Sequence, residues 1–110
     1  MIALVEQQRP SLINLCRQFQ VERLDLFGSA TTAGQFKAES SDLDFLVTFA
    51  TMPPIEYANA HLGMLLKLED LFNRPVDLVT EKSIRNPYFL RAVNATRQTI
   101  YDRSRQETPV

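Results

Sequence analysis

The sequence predicts an α/β (α+β) fold in which helices flank a small mixed β-sheet. Two kinds of apolar spacing alternate along the chain. Stretches with apolar residues at helical spacing are separated by shorter stretches that are either alternating or almost wholly apolar, as strands are. Pro, Gly and Asn lie at the boundaries between them. The predicted order is helix, strand, loop, strand, helix, strand, helix, which fits one layered domain.

The first helix and the first strand follow from two short patterns. Within residues 9–20, apolar side chains recur at i, i+3, i+4 and i+7, namely Leu12, Leu15, Cys16 and Phe19. Residues 2–8 are expected to add a further helical turn. Residues 21–27 then alternate, which predicts a strand that ends at Gly28.

The second half of the chain contains the strongest strand. Residues 43–49 are nearly all apolar, so we expect this strand to be buried on both faces. A long helix follows Pro54 and ends at Asn73 to Pro75. The remaining predicted elements are a strand over 75–80, a helix with Asn86 as N-cap and Pro87 in its first turn, and a brief strand or helix tail over 98–102.

Bulk properties limit the classes of protein that the chain can belong to. Its 110 residues predict one domain over 1–103 and a disordered tail over 104–110. A net charge of −1 argues against a large nucleic-acid-binding surface, and no apolar run is long enough to span a membrane. Cys16 is the one cysteine, so no intramolecular disulfide can form, which fits a cytoplasmic protein.

Three aspartates carry the chemical prediction. Asp42 and Asp44 point to the same face of the strongest strand, with Cα atoms roughly 6.5–7 Å apart. Asp77 lies in a short apolar strand, where an unpartnered carboxylate is costly. If that strand lies beside residues 43–49, the three carboxylates converge and need a cation. Mg²⁺ suits such an all-oxygen set.

Gly28 and Ser29 predict a phosphate site next to these acids. A strand that ends in Gly-Ser and turns into a short helix presents backbone N–H groups and a hydroxyl, which suit phosphate oxygens. Together with a magnesium site, this turn indicates a site for a nucleoside triphosphate.

Each of these features also has a plainer interpretation. Asp42 and Asp44 would also suit a polar strand edge, and Asp77 an edge strand with its acid in water. Gly28 and Ser29 alone would suit a simple turn. Asp25 is expected to be exposed or on the sheet's other face. His61 is expected to be packed or half-exposed, and Cys16 is expected to pack in the core.

The motifs together resemble the minimal nucleotidyltransferase (MNT) branch of the DNA-polymerase-β-type nucleotidyltransferases. The resemblance rests on "RLDLFGSA" with Gly28 and Ser29, on "SSDLDFLV" with Asp42 and Asp44, and on the later Asp77. It implies that the three aspartates bind Mg²⁺, that Asp77 assists deprotonation of an attacking hydroxyl, and that the Gly-Ser turn holds the triphosphate of ATP.

The resemblance also implies a partner. Members of this branch are commonly encoded beside a HEPN-type partner and act as antitoxins, and several transfer AMP from ATP onto a tyrosine of that toxin. We therefore expect a cytoplasmic protein adenylyltransferase that works in a hetero-oligomer with its toxin. Transfer to a small molecule fits less well, since relatives of that type usually have a second helical domain, for which this chain has no room.

Two departures from the family pattern motivate an alternative. The spacer from Ala30 to Ser41 has twelve residues where ten are typical, and the Arg that usually follows Gly-Ser is absent, with Lys37 as the nearest cation. The alternative is a catalytically weak or inactive antitoxin that neutralises its toxin by direct binding.

Overall fold

The elements follow one another in the predicted order. The computed structural model describes residues 1–32, 34 and 42–106. The helices are Ala3–Glu6 (α1), Arg9–Gln18 (α2), Pro54–Phe72 (α3), Pro87–Thr96 (α4) and Arg103–Gln106 (α5). The strands are Val21–Phe27 (β1), Leu43–Phe49 (β2), Val76–Thr80 (β3) and Gln98–Asp102 (β4). Short 3₁₀ helices follow two of the strands, at Gly28–Thr31 and Glu81–Ser83.

These bounds settle one open point of the sequence prediction. Residues 98–102 form a strand and not a helix tail. The stretch that was expected to be a disordered tail begins inside α5, which is one helical turn, and residues 107–110 lie outside the described part of the chain.

The four strands form a mixed sheet in the order β3-β2-β1-β4. β1 is antiparallel to both of its neighbours, β2 and β4, whereas β2 and β3 are parallel. β2 is thus an interior strand, which explains its nearly continuous apolar sequence. Among the described strands β3 lies at the edge of the sheet, so one side of its backbone has no partner among them.

Helices cover the two faces of the sheet unequally. On the first face, alternate strand residues such as Leu26 and Phe45 pack into one core with Cys16 of α2 and Met64 of α3. On the second face, Phe27 and Leu46 pack with Val93, the one buried residue of α4. The second face therefore has a small core and leaves room for polar side chains.

The predicted helix ends are confirmed by backbone geometry and capping. Asn73 ends α3 in the left-handed region, with φ of 52°. The Oδ1 atom of Asn86 accepts hydrogen bonds from the backbone N–H groups of Tyr88 at 2.9 Å and Phe89 at 3.4 Å, which caps α4.

Cys16 packs in the core as expected, and His61 matches the half-exposed alternative. Cys16 is fully buried, and burial raises the pKa of its thiol to about 12. His61 is half-buried, with its Nε2 atom 2.9 Å from the carbonyl oxygen of Leu78. Over the ranges 1–32, 34 and 42–106, none of the helices combines the length and apolar character that a membrane crossing requires.

Candidate active site

Pairing of β2 with β3 brings two of the predicted acids side by side. Asp44 is the direct partner of Asp77 in the parallel register. Their neighbours Leu43, Phe45 and Leu78 belong to the core on the first face of the sheet, so both aspartates point to the second face. Asp42 lies two residues before Asp44, at the same end of the sheet.

The pKa of Asp44 reflects its burial and its two acidic neighbours. Asp44 is half-buried, whereas Asp42 and Asp77 are exposed. Burial is the largest of the causes that raise the pKa of Asp44 to about 6, followed by the negative charges of Asp77 and Asp42. The site therefore holds negative charge that a cation would stabilise.

The acids do not yet form a closed ligand set. Within the described part of the chain, no three His, Cys, Asp or Glu side chains are arranged as a metal centre. The strand register sets their neighbourhood, while mutual repulsion opposes closer approach of the carboxylates. A metal ion would have to draw them together.

The predicted turn at Gly28 packs directly against Asp44. Gly28 has a φ of +78°, and a Cβ atom there would lie only 2.6 Å from Oδ2 of Asp44. Glycine is required here for both reasons, since a side chain would be strained and would displace the carboxylate. Ser29 follows, half-buried, in the 3₁₀ helix that Thr31 closes with a 2.8 Å hydrogen bond to the Gly28 carbonyl oxygen.

The backbone N–H of Gly28 already has a partner. It donates a 2.9 Å hydrogen bond to Oγ1 of Thr96, at the end of α4. The sequence prediction treated the backbone N–H groups of this turn as available to phosphate, and in this structure the Gly28 N–H is engaged within the protein. A ligand would meet other groups of the turn, among them the Ser29 hydroxyl.

Asp25 carries a buried charge, which the sequence prediction did not foresee. It lies on the second face of the sheet, as one of the two expectations had it, but it is fully buried and not exposed. Its Oδ2 atom lies 2.6 Å from Nη2 and 2.8 Å from Nε of Arg97. Its Oδ1 atom accepts a 3.1 Å hydrogen bond from Nε of Arg23. Two guanidinium groups thus compensate one carboxylate.

Arg97 extends this ion pair across the second face. Its Nη1 atom lies 3.3 Å from Oε1 of Glu81 and 2.9 Å from Oδ1 of Asn94. Burial disfavours the charged guanidinium, but the hydrogen bonds and charges of Asp25 and Glu81 outweigh it and raise the pKa of Arg97. Arg97 therefore links β1, α4 and the segment that follows β3.

A comparison with known families decides the family of the chain. The sequence profile described as a nucleotidyltransferase domain matches residues 12–101. The chain belongs to the nucleotidyltransferase family. The matched stretch begins in α2 and ends in β4, so it contains every residue of the site described above.

Individual relatives of this nucleotidyltransferase agree with the family match. A Methanocaldococcus jannaschii protein, provisionally named a protein adenylyltransferase, is 33% identical over 76 residues, which are 69% of this chain and 73% of that protein. A solved structure of a provisionally named minimal nucleotidyltransferase has a TM-score of 0.69 at 27% identity, and the match covers 88% of this chain and 95% of that one.

A second solved structure shares the fold at lower identity. It is the tri-AMPylated HEPN toxin of Shewanella oneidensis in complex with an MNT antitoxin. The matching chain has a TM-score of 0.60 at 20% identity, over 93% of this nucleotidyltransferase and 76% of its own length. At this identity the likeness shows the fold alone.

An aromatic pair lies next to the acids of this nucleotidyltransferase. Phe27 is the cross-strand partner of Asp44, and Phe89 packs edge-on against Phe27 with ring centroids 6.1 Å apart. Phe89 is 40% exposed and its neighbour Tyr88 is 75% exposed. The Phe27–Phe89 pair therefore connects the start of α4 to the strand position beside Asp44.

Sequence reasoning missed Thr96 and Arg97, and it did not foresee the full burial of Asp25. The rule that drew attention to Asp77, that an acid in an apolar strand needs a partner, applies equally to Asp25. Nothing in the local pattern pointed to Thr96 and Arg97, because their partners lie far away along the chain. Lys37 and most of the long spacer lie outside the described residues.

Proposed function

We propose that this nucleotidyltransferase is an Mg²⁺-dependent protein adenylyltransferase that transfers AMP from ATP onto a tyrosine of a HEPN-type toxin and thereby acts as its antitoxin. The observation that carries the proposal is the pairing of Asp44 with Asp77 beside the Gly28 turn. The provisional name of the M. jannaschii relative and the AMPylated toxin of the S. oneidensis complex support the choice of reaction and acceptor.

The donor set suits magnesium. Asp42, Asp44 and Asp77 offer only carboxylate oxygens, which Mg²⁺ prefers, and the raised pKa of Asp44 marks negative charge that lacks compensation. These three residues would hold the metal. Bound there, Mg²⁺ would compensate the charge that develops on the attacking and leaving oxygens.

The residues of the chain then have separate tasks in one substitution at phosphorus. The tyrosine oxygen forms a bond to the α-phosphorus of ATP, and the bond from that phosphorus to pyrophosphate breaks. Asp77, which is exposed on the edge strand, would accept the tyrosine proton. Ser29, in the turn beside Asp44, would donate a hydrogen bond from its hydroxyl group to an oxygen of the triphosphate.

A protein acceptor fits the open side of the site. Asp77 lies on the edge strand β3, and α4 buries only Val93 on this face, so a large acceptor can approach the carboxylates. The toxin itself would then exclude water from the reacting groups. We accordingly propose that the two proteins form a hetero-oligomer in the cytoplasm.

The direct test is mass spectrometry of the cognate HEPN-type toxin after incubation with this protein, ATP and Mg²⁺. We expect the toxin to gain the mass of AMP on a tyrosine, and the gain to vanish with Asp44→Asn or with excess chelator. Asp70→Asn is the matched control, since Asp70 is an exposed acid of α3 outside the site. An unmodified toxin with the wild-type protein, or full modification with Asp44→Asn, would refute the proposal.

A second candidate function is neutralisation by binding alone. It is favoured by the engaged Gly28 N–H, which is unavailable to a phosphate, together with the absent Arg and the long spacer. It predicts that Asp42→Ala and Asp44→Ala still protect cells that express the toxin. Loss of protection in both variants, at unchanged protein levels, would exclude it.

A further inference from the structure

We infer that Thr96 and Arg97, at the end of α4, are positioning residues that hold the Gly28–Ser29 turn in place for the nucleotide. The inference rests on the proposed function for its ligand, Mg²⁺·ATP, but it concerns residues that lie outside the acid and Gly-Ser motifs. These two consecutive residues bind two points of one segment, the end of β1 and the turn that follows it.

Thr96 fixes the turn itself. Its Oγ1 atom accepts the Gly28 N–H at 2.9 Å and lies 3.3 Å from the carbonyl oxygen of Ala92, to which it donates. The hydroxyl therefore connects the last turn of α4 to the one residue whose missing Cβ allows contact with Asp44. Displacement of this hydrogen bond would allow Gly28 to move relative to the Asp44 carboxylate.

Arg97 fixes the strand that leads into the turn. Its double contact with the fully buried Asp25 holds the end of α4 against β1, three residues before Gly28. A buried carboxylate strongly favours this contact, because loss of the guanidinium would leave the charge undercompensated. Glu81 holds the same guanidinium from the segment after β3, the strand that carries Asp77. The Arg97 side chain thus connects the strand that leads into the Gly28–Ser29 turn with the segment that follows β3, the strand of Asp77.

Two consecutive contacts restrict the turn more than either does alone. With Gly28 and Asp25 both held, the end of α4 can neither slide along β1 nor rotate away from it without breaking a partly buried polar contact. Preorganised donors bind a triphosphate better than mobile ones, because no ordering cost arises on binding. The expected effect of losing the contacts is weaker nucleotide binding.

The first experiment compares Thr96→Val with Thr96→Ser in the full-length chain. Valine keeps the shape and removes the acceptor, whereas serine keeps the acceptor. Calorimetric titration with Mg²⁺ and a non-hydrolysable ATP analogue should show an affinity at least about fivefold lower for Thr96→Val, equivalent to about 1 kcal/mol. Thr96→Ser should bind within about twofold of the wild type. Equal affinity in Thr96→Val and wild type would overturn the inference.

A second readout needs no ligand and detects the contact itself. In ¹⁵N-resolved NMR, the Gly28 amide should exchange with solvent faster in Thr96→Val than in the wild type, at least about fivefold, and Thr96→Ser should restore protection. The amide of Cys16 in α2 is the internal reference, because it lies in the core remote from α4. A Gly28 amide with unchanged exchange in Thr96→Val would also overturn the inference.

The role of Arg97 is tested with two conservative substitutions. Arg97→Lys keeps the charge but loses the double contact with Asp25, and Arg23→Lys alters the more exposed partner of the same carboxylate. Arg97→Lys should weaken binding of the ATP analogue at least about threefold, and Arg23→Lys should leave it unchanged. If the two variants bind the ATP analogue equally well, the positioning role assigned to Arg97 is overturned.

These results are separable from failure of the proposed function. A wild-type protein that binds the analogue but never modifies a toxin refutes the proposed adenylyltransferase activity and leaves the positioning role standing. A Thr96→Val protein that binds and transfers like the wild type refutes the positioning role alone. A wild-type protein that binds no Mg²⁺·ATP analogue refutes both.

Discussion

At the scale of single residues, Asp44 shows how the site opposes stability. Its pKa rises from an ordinary 3.8 to about 6, mainly through burial and then through the charges of Asp77 and Asp42. Between these two values the folded protein holds a proton that the unfolded chain has released. The free energy of unfolding therefore falls as the pH rises from about 4 to about 6, and stays lower above it.

Asp44→Asn should accordingly stabilise the metal-free protein at neutral pH. The neutral amide removes the cost of burying a charge and then the repulsion from Asp77 and Asp42, so we expect the melting temperature at pH 7.5 to rise by roughly 2–5 °C, a modest value because Asp44 is only half-buried. The gain should disappear below about pH 4, where Asp44 of the wild type is protonated in both the folded and the unfolded chain. Calorimetry in chelator over this pH range is the measurement, with Asp70→Asn as control. A melting temperature that falls at pH 7.5 would contradict this explanation.

Gly28 offers a second test at the same scale. Gly28→Ala places a Cβ atom 2.6 Å from the Asp44 carboxylate and forces alanine to a φ of +78°. We expect a loss of about 1–3 kcal/mol in the free energy of unfolding and at least about a hundredfold loss of AMP transfer. Urea denaturation and the toxin mass shift measure the two effects.

Gly63→Ala is the control for this substitution. Gly63 lies in α3, and a Cβ atom there would meet the ring of Phe19 at 2.8 Å, far from the acids. It should alter stability without a specific effect on transfer. A Gly28→Ala protein that transfers AMP like Gly63→Ala would show that the close contact with Asp44 is irrelevant to catalysis.

At the scale of elements, α4 is the helix that organises the second face of the sheet. Its start carries Phe89, which packs on Phe27, its middle buries Val93, and its end provides Thr96. The helix begins with a well-formed cap at Asn86. Small changes at either end should therefore affect different properties.

Asn86→Ala tests the start of α4. Loss of the capping oxygen leaves the N–H groups of Tyr88 and Phe89 without that acceptor, and we expect a loss of about 1 kcal/mol in stability. Asn86→Asp should recover most of it. Chemical denaturation measures the free energy of unfolding of each variant. An Asn86→Ala protein as stable as the wild type would show that the cap contributes nothing to stability.

Arg97→Met tests the contact between α4 and β1. Asp25 would remain buried with only Arg23 beside it, and we expect a loss of about 2–4 kcal/mol. Arg23 is 45% exposed, so Arg23→Met should cost less than about 1 kcal/mol. Similar losses in the two variants, measured by urea denaturation, would contradict the unequal roles assigned to them.

At the scale of the whole molecule, local patterns predicted the elements, while distant contacts completed the site. The apolar run of β2 and the Asn-Pro start of α4 are visible in adjacent residues, so these elements could be predicted. The convergence of Asp44 and Asp77 could be stated only on condition that their strands pair, because register is a long-range property.

The contacts that sequence reasoning missed are those between distant positions. Gly28 and Thr96 are 68 residues apart, and Asp25 and Arg97 are 72 apart. Neither Thr96 nor Arg97 stands in a motif, and a threonine and an arginine at a helix end usually face solvent. Only the tertiary structure shows that they meet β1 and the turn beside the acids.

The proposed function depends on Asp42, Asp44 and Asp77 acting as one site for Mg²⁺ and a nucleoside triphosphate. Calorimetric titration of an ATP analogue into the wild type and Asp77→Asn, with and without Mg²⁺, tests this most directly. We predict one Mg²⁺-dependent binding site per wild-type chain and at least about tenfold weaker binding in Asp77→Asn. Equal binding by both proteins, or binding that ignores Mg²⁺, would contradict the shared site.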